Sequence, residues 1–275
     1  MNLPRLKAGP IQYGIMVVGL LLLVLAGGFV AQQPWALGLW PWLERDLSYV
    51  FLGAVVAAMA AGLGRIGFAA EWGGLAAGAL NLFIAASGAA YFLFQVPAQK
   101  NQPDIQPYAW AALAIVLVSA LLFVWSQRQP DGDPSPTPPP VLIAYGVFVV
   151  LLSIAGMALV MRQSGILPWR LRTAFSSVLL GWMFIGNAFY FFYALIFPHW
   201  RNARAHLWSL LAFTLVMFPF YAAYVVEVFS HPRAQRLSLV IGLVVMIYGA
   251  ATAACYLWPS RSARAPGDGT DDRPG

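Results

Sequence analysis

The chain has very little charge for its length. Only 9% of its 275 residues are Asp, Glu, Lys or Arg, whereas 60% are hydrophobic and the mean hydropathy is +0.71. Average usage in soluble proteins is about 25% charged residues, so this chain lacks the charge that a soluble surface requires. The shortage excludes an ordinary soluble domain and predicts an all-α, polytopic membrane protein. Its apolar runs are continuous rather than alternating, which argues against a membrane β-barrel.

Cysteine and histidine are also scarce. The single cysteine, Cys255, cannot form an intrachain disulfide or a cysteine-based metal site. The histidines His199, His206 and His231 fall at or beyond the ends of the apolar runs, whereas an intramembrane haem or copper site usually needs two ligands on facing helices. We therefore predict no metal site, in particular no intramembrane haem or copper, and no cofactor, with a quinone or a lipid as a possible bound molecule.

Eight apolar runs are long enough to cross a bilayer as helices, which takes about 17–25 residues. The first is too long for the core of a signal peptide, which has about 7–15 residues, and we expect it to be retained. An even number of spans puts both termini on one side, and the basic residues Arg5 and Lys7 favour the cytoplasmic side of the cell (inner) membrane. The predicted spans are residues 11–31, 47–64, 73–96, 108–125, 141–161, 175–197, 207–229 and 237–258.

The least hydrophobic internal stretch divides the chain into two equal sets of spans. Residues 130–140 read PDGDPSPTPPP, a composition that cannot continue a helix and favours an extended, solvated backbone. We predict a first four-helix half at 1–129, a linker at 130–140, a second half at 141–258 and a disordered tail at 259–275. The net charge of +6 is typical of Lys and Arg in loops beside spans, so we expect membrane lipid and not nucleic acid as a partner.

The two halves share short matches at a nearly constant displacement. We interpret them as an internal duplication of four helices, and because four is even, the repeats would be parallel and related by a pseudo-twofold axis along the membrane normal. Such a bundle could leave a water- or lipid-filled seam between the halves. The matching pairs are Pro34-Trp35 with Pro168-Trp169, Ser48–Gly53 with Ser176–Gly181, and Ala89-Ala90-Tyr91 with Ala222-Ala223-Tyr224.

Charged residues near the spans are candidates for binding because charge is expensive inside a bilayer. Arg65 and Glu71 flank the turn between the second and third spans, although both could simply reach the lipid headgroups. Glu227 lies near the end of the seventh span with His231 four residues later, a spacing that permits a local contact or a proton or quinone contact.

Four uncharged residues complete the set of candidates. Asn81 and Asn187 are amides within spans, where such groups most often form hydrogen bonds between helices. Tyr91 and Tyr224 occupy equivalent positions in the two halves and could face a shared cleft or pack at the interface.

One stretch resembles a known family. Residues 186–219 contain Gly186-Asn-Ala-Phe-Tyr-Phe-Phe192, Pro198, Ala205-His-Leu-Trp208 and Phe218-Pro219, which together resemble a helical hairpin in the catalytic subunit of heme–copper oxidases. That family is itself built from four-helix units. This chain lacks the intramembrane histidines that hold the metals there, so the resemblance implies a relative or an accessory subunit without metal chemistry.

Three functional classes remain open. The first is a non-catalytic membrane subunit or accessory protein of a larger complex, for example a respiratory or quinone-handling one, with other membrane subunits or a second copy as partners. The second is a transporter or channel for a small neutral or lipidic solute through the seam. An intramembrane enzyme is the weakest, because no base, nucleophile or metal set converges. We expect the first.

Overall fold

A computed structural model describes residues 9–96, 104–129, 135–163, 165–228 and 233–257, and these are helical almost throughout. Eight of the helices are long and apolar enough to span a membrane. The prediction of an all-α, eight-span integral membrane protein is therefore confirmed. The helices are α1 (Pro10–Val30), α2 (Pro34–Leu37), α3 (Asp46–Ala69), α4 (Leu75–Gln95), α5 (Gln106–Gln127), α6 (Pro139–Val160), α7 (Ala174–Ile196), α8 (Trp200–Val228) and α9 (Arg233–Leu257).

The helices begin and end close to the predicted positions, with one large difference. Helix α8 starts at Trp200, whereas the seventh span was predicted to start at 207. Arg201 and Arg204 lower the hydropathy of this stretch, but they do not prevent a helix. Arg201 is buried, and its guanidinium packs against Gly73 at the start of α4. Tertiary packing thus extends the helix beyond its apolar run.

The end of the predicted linker is docked onto the fold. The N–H of Trp200 donates to the carbonyl of Ser135 (2.7 Å), and the N–H of Thr137 donates to the carbonyl of Pro198 (2.8 Å). These two bonds form an antiparallel bridge with the turn between α7 and α8. Thr137 is buried, so the expectation of a fully solvated tether is wrong at this residue. Residues 130–134 lie outside the described ranges.

The eight spanning helices pack as two layers. The most extensive helix pairs place α1, α3, α8 and α9 side by side in a first layer, and α5, α4, α7 and α6 in a second. The layers approach each other less closely, at α3 with α4, α7 with α8 and α6 with α9. Each layer contains two helices from each predicted half. The halves therefore interlock, with α3 against α8 and α4 against α7.

Several local contacts of the first half recur in the second, although the helix-ending turn is also found at the end of α3, at Ala70 (φ 55°). Both α1 and α6 end in a turn with a left-handed residue, Gln32 (φ 52°) or Arg162 (φ 59°). In each turn the following N–H bonds back to the carbonyl five residues earlier, as in a Schellman motif. Gly53 packs against Val30 of α1, and Gly181 packs in the same way against Val160 of α6.

Two tryptophans join the halves by bonds to the matching serines Ser48 and Ser176, although the sequence match of Trp169 is Trp35 and not Trp40. The indole N–H of Trp169 donates to the hydroxyl of Ser48 (2.9 Å), and that of Trp40 donates to the hydroxyl of Ser176 (3.3 Å). Each bond runs from one predicted half to the other. These repeated contacts support an internal duplication, which stays a prediction.

Candidate functional site

The space between the two layers is the candidate site, and we call it the central seam. One face of α7 lines the seam. On one side of this face Gly181 packs on α6, and on the other side Trp182 and Gly186 pack on α4. Residues every three or four positions along this face point into the seam. They are Ser176, Leu180, Met183, Asn187 and Tyr190.

The seam is filled near one membrane face and less tightly packed further along α7. Ser176 and Leu180, at the start of α7, are fully buried. Met183, Asn187 and Tyr190, further along the same face, are only half-buried although they point away from lipid. Side chains therefore pack less tightly at the level of these three residues than at the start of α7. Beyond this level, towards the face where α1 begins and α9 ends, which we call the terminal face, His206 is again fully buried.

Aromatic side chains bridge the layers at the middle of the seam. Phe51 of α3 stacks on Phe184 of α7, with ring centroids 5.4 Å apart and planes at 11°. Phe213 of α8 meets Phe51 edge-on at 5.9 Å. Met59 of α3 packs against the same cluster and is half-buried, as are Phe184 and Phe213. The less tightly packed part of the seam thus has an aromatic and thioether lining.

The two predicted intramembrane amides meet beside this lining. The side-chain amide of Asn81 donates to Oδ1 of Asn187 (3.2 Å), and the amide of Asn187 donates to the carbonyl of Met183 (2.9 Å). Gly186 makes this possible, because a side chain there would collide with the backbone and amide of Asn81. The amide pair holds α4 against α7 and leaves Asn187 at the edge of the seam.

His206 lies at the terminal end of the seam and is fully buried in α8. Its ring stacks on Tyr190 of α7 at 3.7 Å and 17°. Nδ1 lies 2.7 Å from the carbonyl of Asn202, and Nε2 lies 2.8 Å from the carbonyl of Tyr190. A protonated ring nitrogen can donate to either carbonyl, so His206 joins α7 to α8. The expectation that every histidine lies at or beyond the span ends is wrong for this one.

Hydroxyl groups add a second bridge at the same level. The hydroxyls of Tyr190 (α7) and Ser209 (α8) are 3.3 Å apart. Gly62 of α3 faces them, and a side chain there would collide with Ser209. Tyr145 of α6 is buried nearby and donates to the carbonyl of Ala203 (3.0 Å). Three helices of the interlocked core therefore converge on this polar group.

Arg65 and Glu71 lie close together at the terminal face. Nη2 of Arg65 is 3.7 Å from Oε1 of Glu71, and Nη2 of Arg204 is 3.8 Å from the same oxygen. The carboxylate therefore links the turn between α3 and α4 to α8. The sequence named the first two residues as neighbours of one turn but did not name Arg204, because that contact joins segments far apart in sequence.

Of the remaining predicted candidates, Tyr224 packs against the cluster that lines the seam and Tyr91 does not. Tyr91 belongs to none of the buried clusters of described residues and is 68% exposed on α4. Tyr224 packs against the cluster around Phe51. Glu227 lies within α8, but its side chain is outside the described part of the structure, as is the whole of His231.

A buried acid at the opposite face was not among the predicted residues. Glu44 precedes α3 and is 5% exposed. Its carboxylate accepts from the backbone N–H of Arg172 (2.9 Å) and from the N–H and hydroxyl of Thr173 (both 3.2 Å). Thr173 is the N-cap of α7, so Glu44 places an acidic group at the positive end of that helix.

The described residues contain no group of three or more His, Cys, Asp or Glu side chains that could hold a metal ion. Comparisons with protein-family models, curated proteins and solved structures find no match to this chain.

Proposed function

We propose that this protein is a non-catalytic, multi-pass protein of the cell (inner) membrane that acts as a subunit or accessory protein of a larger membrane complex. The observation that supports this best is the use of the polar groups within the helices. Asn81 of α4 bonds to Asn187 of α7, and Tyr190 of α7 bonds to Ser209 of α8. In the same way Trp169, in the loop before α7, bonds to Ser48 of α3. Polar groups whose hydrogen bonds hold helices together are typical of a structural role.

The kind of complex follows from the resemblance of residues 186–219 to a hairpin of heme–copper oxidases. A respiratory or quinone-handling assembly is the proposal, with other membrane subunits or a second copy as partners. Lipid or quinone is the expected bound molecule. The termini are proposed to be cytoplasmic.

Purification in mild detergent tests this role. The protein is expressed with a tag in its own host, isolated, and analysed by mass spectrometry and visible absorption spectroscopy. Stoichiometric membrane partners, with or without the absorbance of their cofactors, are the expected result. A chain that purifies alone at every detergent concentration that keeps other complexes intact would contradict the proposal.

A second candidate is transport of a small neutral or lipidic solute through the central seam. The half-buried Met59, Met183 and Asn187, which point inward, favour it. The test is cysteine labelling in a Cys255→Ser background with Met59→Cys, using a membrane-impermeant maleimide on oriented vesicles. A solute path predicts labelling from the terminal face. Complete protection from both faces, with exposed control cysteines labelled, would remove this candidate.

A further inference from the structure

The amide pair in the central seam has hydrogen-bonding capacity left over. Each side-chain amide carries two N–H donors. Among the bonds of the described residues, Asn81 uses one of its N–H groups on Asn187, and Asn187 uses one of its own on Met183. At hydrocarbon depth an unused N–H costs free energy, because no water is there to accept it. Asn187 is half-buried on the seam face, so its second N–H can be reached by a molecule in the seam.

The side chains around Asn187 define the charge and shape of that molecule. Asn187 bonds to Met183, which packs against the same buried cluster as Phe184, Met59 and Phe213, and none of these four side chains carries a charge. A charged ligand would lose its hydration without gaining a partner of opposite charge. Thioether and phenyl groups pack favourably against flat rings. An N–H donor pairs with an acceptor oxygen, and a carbonyl oxygen is an acceptor that brings no donor of its own.

We propose that the central seam binds a neutral, lipid-soluble molecule whose carbonyl oxygen accepts a hydrogen bond from Asn187. The body of the molecule lies between Met59 of α3 and Met183 and Phe184 of α7. This site goes beyond the structural role proposed above and does not depend on partner subunits. It deepens the transport candidate and rests on the same seam, but binding without transport would leave it standing.

Two sources of such a carbonyl exist in a membrane, a quinone ring and the ester of a lipid. The test therefore uses two probes, a benzoquinone with a ten-carbon tail and a diacylglycerol with short chains. Each is titrated calorimetrically into the full-length protein in detergent micelles, with empty micelles as the blank. Saturable one-to-one binding of either probe is expected, and the probe that saturates identifies the source.

Three variants locate the site. Asn187→Leu removes the donor and should weaken binding about fivefold, the value of one neutral hydrogen bond. Met59→Phe fills the opposite wall and should abolish saturable binding. Thr252→Val is the matched control, because the hydroxyl of Thr252 bonds to the carbonyl of Tyr248 within α9 and lies outside the seam. This variant should bind like the wild type.

Two results would overturn the site. One is the absence of saturable binding of both probes by the wild type. The other is unchanged affinity in both Asn187→Leu and Met59→Phe, which would show that the probes only partition into the micelle. Since the two substitutions lie on different helices, loss of folding in one leaves the other to decide. A protein that binds the probes but purifies without partners would refute the subunit role and not this site.

Discussion

A glycine at which helices of the two predicted halves meet backbone to backbone gives the sharpest test of the packing. A Cβ added at Gly186 of α7 would lie 2.5 Å from Oδ1 and 2.7 Å from the backbone oxygen of Asn81, and 2.8 Å from Cβ of Ala85. The backbone oxygen cannot rotate away, so α4 and α7 must move apart. We therefore expect Gly186→Ala to destabilise the fold.

The size of the effect is the balance of two terms. Overpacking of a well-packed interface costs about 1–3 kcal/mol. Replacing glycine by alanine within a helix returns about 0.5–1 kcal/mol. The expected net loss is about 1–2 kcal/mol, which corresponds to a fall in the melting temperature of about 2–8 °C for a chain of this size.

The assay is thermal unfolding of the detergent-solubilised protein, followed by intrinsic tryptophan fluorescence. Gly78→Ala is the matched control, because Gly78 lies on α4 and a Cβ there would meet nothing within 4 Å. The control should melt at or slightly above the wild-type temperature. If Gly186→Ala melts with the control, the close packing of α4 on α7 described above is wrong.

Three further outcomes are expected. Glu44→Ala should destabilise the fold by about 2–4 kcal/mol, because it leaves buried donors at the start of α7 without their acceptor. Thermal unfolding of the variant measures this loss. In a double-mutant cycle, Trp169→Phe and Ser48→Ala should show a coupling energy of about 0.5–1.5 kcal/mol, whereas additive effects would contradict the bond. Because the termini are proposed to be cytoplasmic, a fluorescent protein fused to the C-terminus should fluoresce in living cells. Activity of an alkaline phosphatase fused at the same place would instead put that terminus on the outer side of the membrane.

Hydropathy was sufficient to predict the number and positions of the spans. Each run is apolar along its whole length, so composition alone reports burial in the bilayer. The sequence also identified Asn81 and Asn187, because amides are rare within spans and usually pair with each other. Their hydrogen bond joins α4 to α7, and no local pattern in the sequence specifies it. However, each amide has few other possible hydrogen-bond partners within the spans.

Other functional residues had no signal in the sequence. Glu44 lies in a loop, where an acid is ordinarily solvated, and its burial depends on backbone groups of Arg172 and Thr173 that are 128 and 129 residues away. His206 was assigned to a loop because Arg201 and Arg204 lower the local hydropathy, whereas the helix begins before them. In both cases tertiary contacts, not composition, decide the environment.

Because α3 packs on α8 and α4 packs on α7, the first half depends on the second for part of its packing, and this affects biosynthesis. The first four spanning helices enter the membrane before the rest of the chain, but in the folded protein α3 and α4 contact each other only weakly. Their close-packing positions at Gly62 and Gly88 face residues of α7 and α8, including Ser209 and Trp182, that have not yet been made. The early chain must therefore wait in the bilayer with these grooves covered by lipid or by an insertion chaperone.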